Sequence, residues 1–175
     1  KKYVAQVFAP LPTKAPPVVS PPEAVGHAGT QIVAMDVPQP AAVFGLPGPL
    51  RADPNFIPTY VANYIFGGGG FSSRLMDEVR EKRGLTYGIN SGLVDFRAAA
   101  MVVGTVESDK SKITQALDTM RGEMARFAKS GATAKELTDA KTYLTGSFPL
   151  AFDSNARIAT QLNSFQRDRK STRLN

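Results

Sequence analysis

The chain has 175 residues, 42% of them hydrophobic, enough for one substantial core, and its lack of cysteine excludes disulfides and thiolate metal ligands. Its formal charge is +6, yet residues 3–166 hold 15 basic against 14 acidic side chains. The excess is terminal, and the basic, aromatic-laced stripe of a nucleic-acid binder is missing. No stretch approaches the roughly 20 uninterrupted apolar residues of a membrane span, and the longest apolar run, Ala98 to Val103, suits a buried strand.

Lys1 to Ala9 reads as the end of a preceding element. Its first residues lack the apolar region and cleavage site of a secretory signal, as any mature or internal fragment would. Six prolines between Pro10 and Pro22 fix φ and remove donors, so residues 1–29 are read as that element's end followed by an extended Pro-rich connector. Thr30 to Val37 and Ala41 to Leu46 are β-branched and apolar on either side of Pro38-Gln39-Pro40, which predicts two short strands broken by a bulge or turn.

Asp53-Pro54 reads as N-cap and first helical residue, with Pro58 an alternative start, and Phe56, Ile57, Tyr60, Val61, Tyr64 and Ile65 form the apolar stripe. The run Gly67 to Gly70 is expected to end this helix and form a flexible loop, because glycine loses the most backbone freedom on ordering. Ser72 or Ser73 then caps a second helix to about Lys82, with Leu75, Met76 and Val79 inward and Gly84 as a left-handed C-terminal cap.

Leu85 to Phe96 and Arg97 to Glu107 predict adjacent strands with a turn near Asp95 to Ala98. A long helix follows Ser108 or Asp109, keeps Ile113, Ala116, Leu117, Met120, Met124, Phe127 and Ala128 on one face, and stops at Gly131. Thr133 and Glu136 match a capping box, and a last helix spans about Ser154 to Phe165. The order predicts an α+β fold over residues 30–166: a two-layer domain whose largely antiparallel sheet is covered by helices on one face. Residues 167–175 differ in composition and read as a disordered or foreign tail.

The chemistry is limited by what is missing. His27 is the sole histidine, HExxH and HxxEH are absent, and no GxSxG elbow exists, so no metal, no cofactor and no triad is expected in this chain. The glycine run has no following Lys for a P-loop and closes no GxGxxG fingerprint. Arg74 lies four residues before Glu78, the spacing of a helix-surface ion pair.

One stretch stands out: Gly67-Gly68-Gly69-Gly70-Phe71-Ser72-Ser73-Arg74-Leu75, continued by Val79-Arg80-Glu81-Lys82-Arg83-Gly84-Leu85-Thr86-Tyr87-Gly88. Together with Pro38-Gln39 ahead of the first long helix, the Asp-Pro-Asn-Phe start, and Gly131-Ala132-Thr133 followed by Glu136-Leu137 and Ala140-Lys141, it resembles the C-terminal-type domain of pitrilysin/insulinase zinc peptidases. The resemblance covers about Val33 to Phe165 and is similar to bacterial processing-peptidase-like members. It implies a substrate-binding and transition-state-stabilising half, inactive alone, whose zinc lies in a partner half bearing HxxEH, on the same polypeptide or a separate subunit.

The resemblance further implies that Arg80 and Tyr87 face a peptide substrate, the guanidinium toward a carbonyl and the phenol toward the oxyanion of the attacked bond. Arg80 would otherwise be one of several helix-surface charges, and Tyr87, on a strand face with Leu85 and Ile89, would otherwise pack in the core. A periplasmic location is implied by resemblance alone. The alternatives of another class are a non-catalytic scaffold subunit of the same fold and a free-standing peptide-binding module.

Overall fold

The computed structural model describes residues 2–10, 28–96 and 99–167. Most of the connector and all of residues 168–175 lie outside this set, so the reading of both stands as an expectation. Helix α1 (Lys2–Phe8) buries no residue. Strand β1 (Ala41–Pro47) precedes α2 (Phe56–Asn63), then come β2 (Gly88–Asp95), β3 (Ala100–Glu107), α3 (Ile113–Ser130), α4 (Ala134–Ser147) and α5 (Asn155–Arg167). The sheet order is β1-β3-β2 and both pairings are antiparallel.

Alternation along the strands decides which face is covered. Ile89, Ser91 and Val106 are buried under the helices, whereas Val43 is 73% exposed on the opposite face. Leu75, Val79, Ile89 and Val106 form the centre of the core, joined by Ala116 and Met120 of α3. Each such aliphatic side chain stabilises by about 1.5–3 kcal/mol when taken from water, and truncating Leu75 to Ala would cost roughly 2–5 kcal/mol. This is the expected two-layer α+β arrangement, and no helix of the described residues is long and apolar enough to cross a membrane.

The capping box of α4 forms as predicted. The Glu136 N–H donates to Thr133 Oγ1 at 3.2 Å, and the Thr133 N–H donates to Glu136 Oε2 at 2.7 Å. Gly131 ends α3 at φ +68.

Two expectations are corrected. Thr30 to Val37 is not a strand: Ile32 is 87% and Met35 68% exposed, with no neighbouring strand among the described residues to complete a ladder. β-propensity is effective only where a ladder and a packed face exist. The first long helix starts at Phe56, after a turn in which the Asn55 N–H donates to Asp53 Oδ1 at 2.7 Å; Pro58 is tolerated in the first turn, where N–H groups lack helical partners.

That helix ends within the glycine run, at Gly68, as expected. Its last turn widens into a π-helical turn, Tyr64–Gly68, and Gly67 is buried inside it. The reason is contact with β2. Ser91 Oγ donates to Asn63 Oδ1 at 2.7 Å and Asn63 Nδ2 donates to the Ser91 carbonyl at 3.2 Å, so helix and strand backbones meet at Gly67. A methyl group there would overlap Ser91 Oγ and lie 2.9 Å from Leu75 Cδ1.

Candidate functional site

The second predicted helix is short, with π turns over Met76–Glu81, and its ends fix the site. Ser73 is extended at ψ 152 and fully buried; its hydroxyl accepts from the Met76 N–H at 3.5 Å, an N-cap at the predicted residue. At the other end Gly84 takes φ +58, which glycine adopts without a Cβ penalty. The Gly84 N–H donates to the Arg80 carbonyl at 2.8 Å and the Leu85 N–H to the Val79 carbonyl at 3.0 Å. The chain thus reverses into β2 directly beneath Arg80.

Strand alternation fails at this corner, with consequences for Tyr87. The Thr86 hydroxyl accepts from the Gly88 N–H at 3.1 Å and donates to the Glu107 carbonyl, which also accepts from the Tyr87 N–H at 3.2 Å. Thr86 is therefore buried beside Leu85, and Tyr87 is turned outward, 59% exposed, between buried Thr86 and buried Ile89. The core-packing role for Tyr87 does not hold. Its hydroxyl donates to Asp109 Oδ1 at 3.1 Å, and that carboxylate, by the hydrogen bond and its charge, raises the phenol's pKa above the ordinary value.

Arg80 occupies the last turn of the helix with its side chain 35% exposed. Its Nη1 donates to Glu81 Oε1 at 2.8 Å, and Cζ stands 4.9 Å from the centroid of the Phe71 ring. The structure places Arg80 and Tyr87 on one helix-turn-strand corner, but no hydrogen bond joins them; each is held by its own partners. Sequence reading missed both partners, Phe71 and Asp109. Phe71 carried a signal, as a lone aromatic between glycines and serines, whereas the Asp109 contact spans 22 residues and had none.

The neighbouring charges are structural. Glu78 accepts from Lys82 Nζ and Arg83 Nη1, both at 2.6 Å, and these two cations hold its pKa at about 2. The expected Arg74–Glu78 pair does not form, because Arg74 points instead to α3 and α4, where Glu136 and Glu123 receive it. Among the described residues no group of three or more His, Asp or Glu side chains converges to hold a metal. His27 lies outside the described residues. Among the described residues, the donor set does not fit a zinc centre.

The domain is thus a helix-covered antiparallel sheet with Arg80 on the helix before the Gly84 turn, Tyr87 exposed after it, and no metal-binding cluster among the described residues. Residues 1–144 match the family described as the peptidase M16 inactive domain, and the chain belongs to that family. It is similar to the crystal structure of a peptidase M16 inactive domain from Pseudomonas fluorescens, with 38% identity and a TM-score of 0.67 over 74% of this chain and 30% of that one. It is 30% identical over 132 residues to an uncharacterized zinc protease of Streptomyces coelicolor, covering 75% of this chain and 28% of the relative. A non-peptidase homolog of Helicobacter pylori is 29% identical over 135 residues, 77% of this chain and 30% of its own length. The chain spans less than a third of the length of these relatives.

Proposed function

We propose that the chain is the substrate-binding and transition-state-stabilising half of a zinc metalloendopeptidase, with zinc held by an HxxEH motif in the partner half. The observation that carries this reading is the outward turn of Tyr87 between buried Thr86 and Ile89, at the strand end of the turn that Arg80 precedes. A large aromatic presented to solvent there gains nothing for the core and makes a donor available to a bound peptide. Arg80 would place its planar fork against a substrate carbonyl. Tyr87 would release Asp109 and donate to the oxygen on which negative charge develops, a contact stronger in the transition state than in the ground state. Zinc in the partner half would supply the activated water.

The test is reconstitution with the HxxEH half, either fused upstream or added as a separate subunit. Cleavage of an unstructured peptide should require both halves. If the zinc half alone cleaves as fast, this chain is a scaffold. That second reading is favoured by one observation, the non-peptidase description of the Helicobacter pylori relative. The periplasm is proposed for the intact protein from the family resemblance, and cell fractionation followed by immunoblotting tests it.

A further inference from the structure

The loop that carries Phe71 is fixed on both sides. Before it, the turn Tyr64–Gly68 is packed against β2, and a Cβ on Gly69 would come within 2.9 Å of the Tyr64 carbonyl oxygen. Within it, Gly70 adopts φ +59 and opens a 3-10 turn, Gly70–Ser72. Ser72 Oγ donates to the Gly69 carbonyl at 2.8 Å, and Ser73 Oγ to the Gly70 carbonyl at 2.7 Å. Beyond it, Ser73 is fully buried. Phe71 is nevertheless 72% exposed, so a tightly held turn displays an aromatic ring that the core does not use.

What the ring does touch is Arg80, whose Cζ lies 4.9 Å from the ring centroid. Two other arginines stack on rings, and they show the contrast. Arg51 stands over Phe56, a core residue. Arg74 stands over Phe127 with Nε, Nη1 and Nη2 all engaged by Glu136, Glu123 and the Gly131 carbonyl. Arg80 has only its Nη1 donor engaged, by Glu81; its Nε and Nη2 donors have no partner among the described residues. A guanidinium against one ring face and one carboxylate is biased toward one plane, with its remaining donors open.

We propose that Phe71 is a positioning residue for Arg80: its ring sets the guanidinium plane so that the unengaged donors meet a backbone carbonyl of an extended peptide. The glycines and serines from Gly67 to Ser73 are then the rigid mount of that ring. This inference rests on the substrate-facing role of Arg80 given above.

The experiment uses the protein joined to its zinc half and compares Phe71→Leu, Phe71→Tyr, Arg80→Ala and the Phe71→Leu/Arg80→Ala double variant, reading KM and kcat on a peptide. An exposed cation–π contact corresponds to about a 2- to 5-fold change. Phe71→Leu should raise KM by that factor, Phe71→Tyr should restore it, and Phe71→Leu should add nothing once Arg80 is Ala. In NMR spectra the ring-current shift of the Arg80 side-chain protons should vanish in Phe71→Leu and persist in Phe71→Tyr. Equal behaviour of Leu and Tyr would make the ring a plain apolar contact and overturn the inference. So would an unchanged KM for Phe71→Leu while Arg80→Ala binds weakly, which leaves the proposed function standing. Arg80→Ala with unchanged KM would overturn both.

Discussion

Arg74 donates through Nε and Nη2 to both carboxylate oxygens of Glu136, at 2.6 and 2.7 Å, across 62 residues of sequence. Nη2 also reaches the Gly131 carbonyl at 3.1 Å, so one side chain joins the start of the helix after the glycines to the C-terminus of α3 and the first turn of α4. A cation at a helix C-terminus and a bidentate carboxylate fork are both favourable. Glu123, 3% exposed, depends on the same guanidinium and on Arg126. Arg74→Ala should therefore cost roughly 2–4 kcal/mol, because it removes charged hydrogen bonds and leaves a buried carboxylate half-paired. Arg74→Lys should recover less than half of that loss, lacking the fork. Urea midpoints measure both; a loss below about 0.5 kcal/mol would reduce the contact to an ordinary surface pair.

Stability should fall in acid. Arg74 holds Glu136, and Lys82 with Arg83 holds Glu78, at pKa values of about 2 against an ordinary 4.5. A carboxylate with a depressed folded pKa contributes stability above its unfolded value and loses it as pH falls toward the folded one. The loss should therefore run from about pH 4.5 down to about pH 2, and Glu136→Gln should flatten that limb. Denaturant titrations at stepped pH give the slopes; identical slopes would contradict the assignment.

Two glycines should respond with opposite sign. Gly67→Ala meets Ser91 Oγ and its backbone N, the latter at 3.0 Å, and should destabilise by about 1–3 kcal/mol. Gly122 lies inside α3 with open space around the added carbon, so Gly122→Ala should stabilise by up to about 1 kcal/mol. A thermal midpoint of Gly67→Ala that does not fall would show that the glycine run is not a packing feature, and a lowered one for Gly122→Ala would contradict the second expectation.

The isolated chain should bind no zinc stoichiometrically. A catalytic zinc takes three protein ligands and water, and the sequence offers one histidine and no cysteine. One tightly bound zinc per chain by elemental analysis would contradict this.

Local signals made much of the fold legible. The capping box of Thr133 and Glu136, the stop at Gly131, the left-handed Gly84 and the inward trio Leu75, Met76 and Val79 each depend on near neighbours in sequence. The misses depended on distant partners. Nothing near Gly67 announces Ser91, nothing near Arg74 announces Glu136, and Thr30 to Val37 has strand composition without a partner strand among the described residues. At the candidate site, Arg80 and Tyr87 were legible only through family resemblance. Simple alternation predicted burial of Tyr87, and the Thr86 hydrogen bonds that break the alternation reach across to β3.

The central claim is that Tyr87 donates to the reacting oxygen, and kcat of a Tyr87→Phe enzyme assembled with the HxxEH half tests it most directly. The change removes one hydroxyl from an exposed ring, so folding should be preserved while kcat falls by roughly 100- to 1,000-fold, the cost of losing an oxyanion donor. Arg121→Ala is the suitable charge control, since Arg121 is exposed and its one charged partner among the described residues is Asp118, at 3.5 Å; Arg83 is tied to the Glu78 carboxylate and carbonyl. A large kcat loss in Tyr87→Phe with none in Arg121→Ala is the predicted result. Full turnover by Tyr87→Phe would contradict the account.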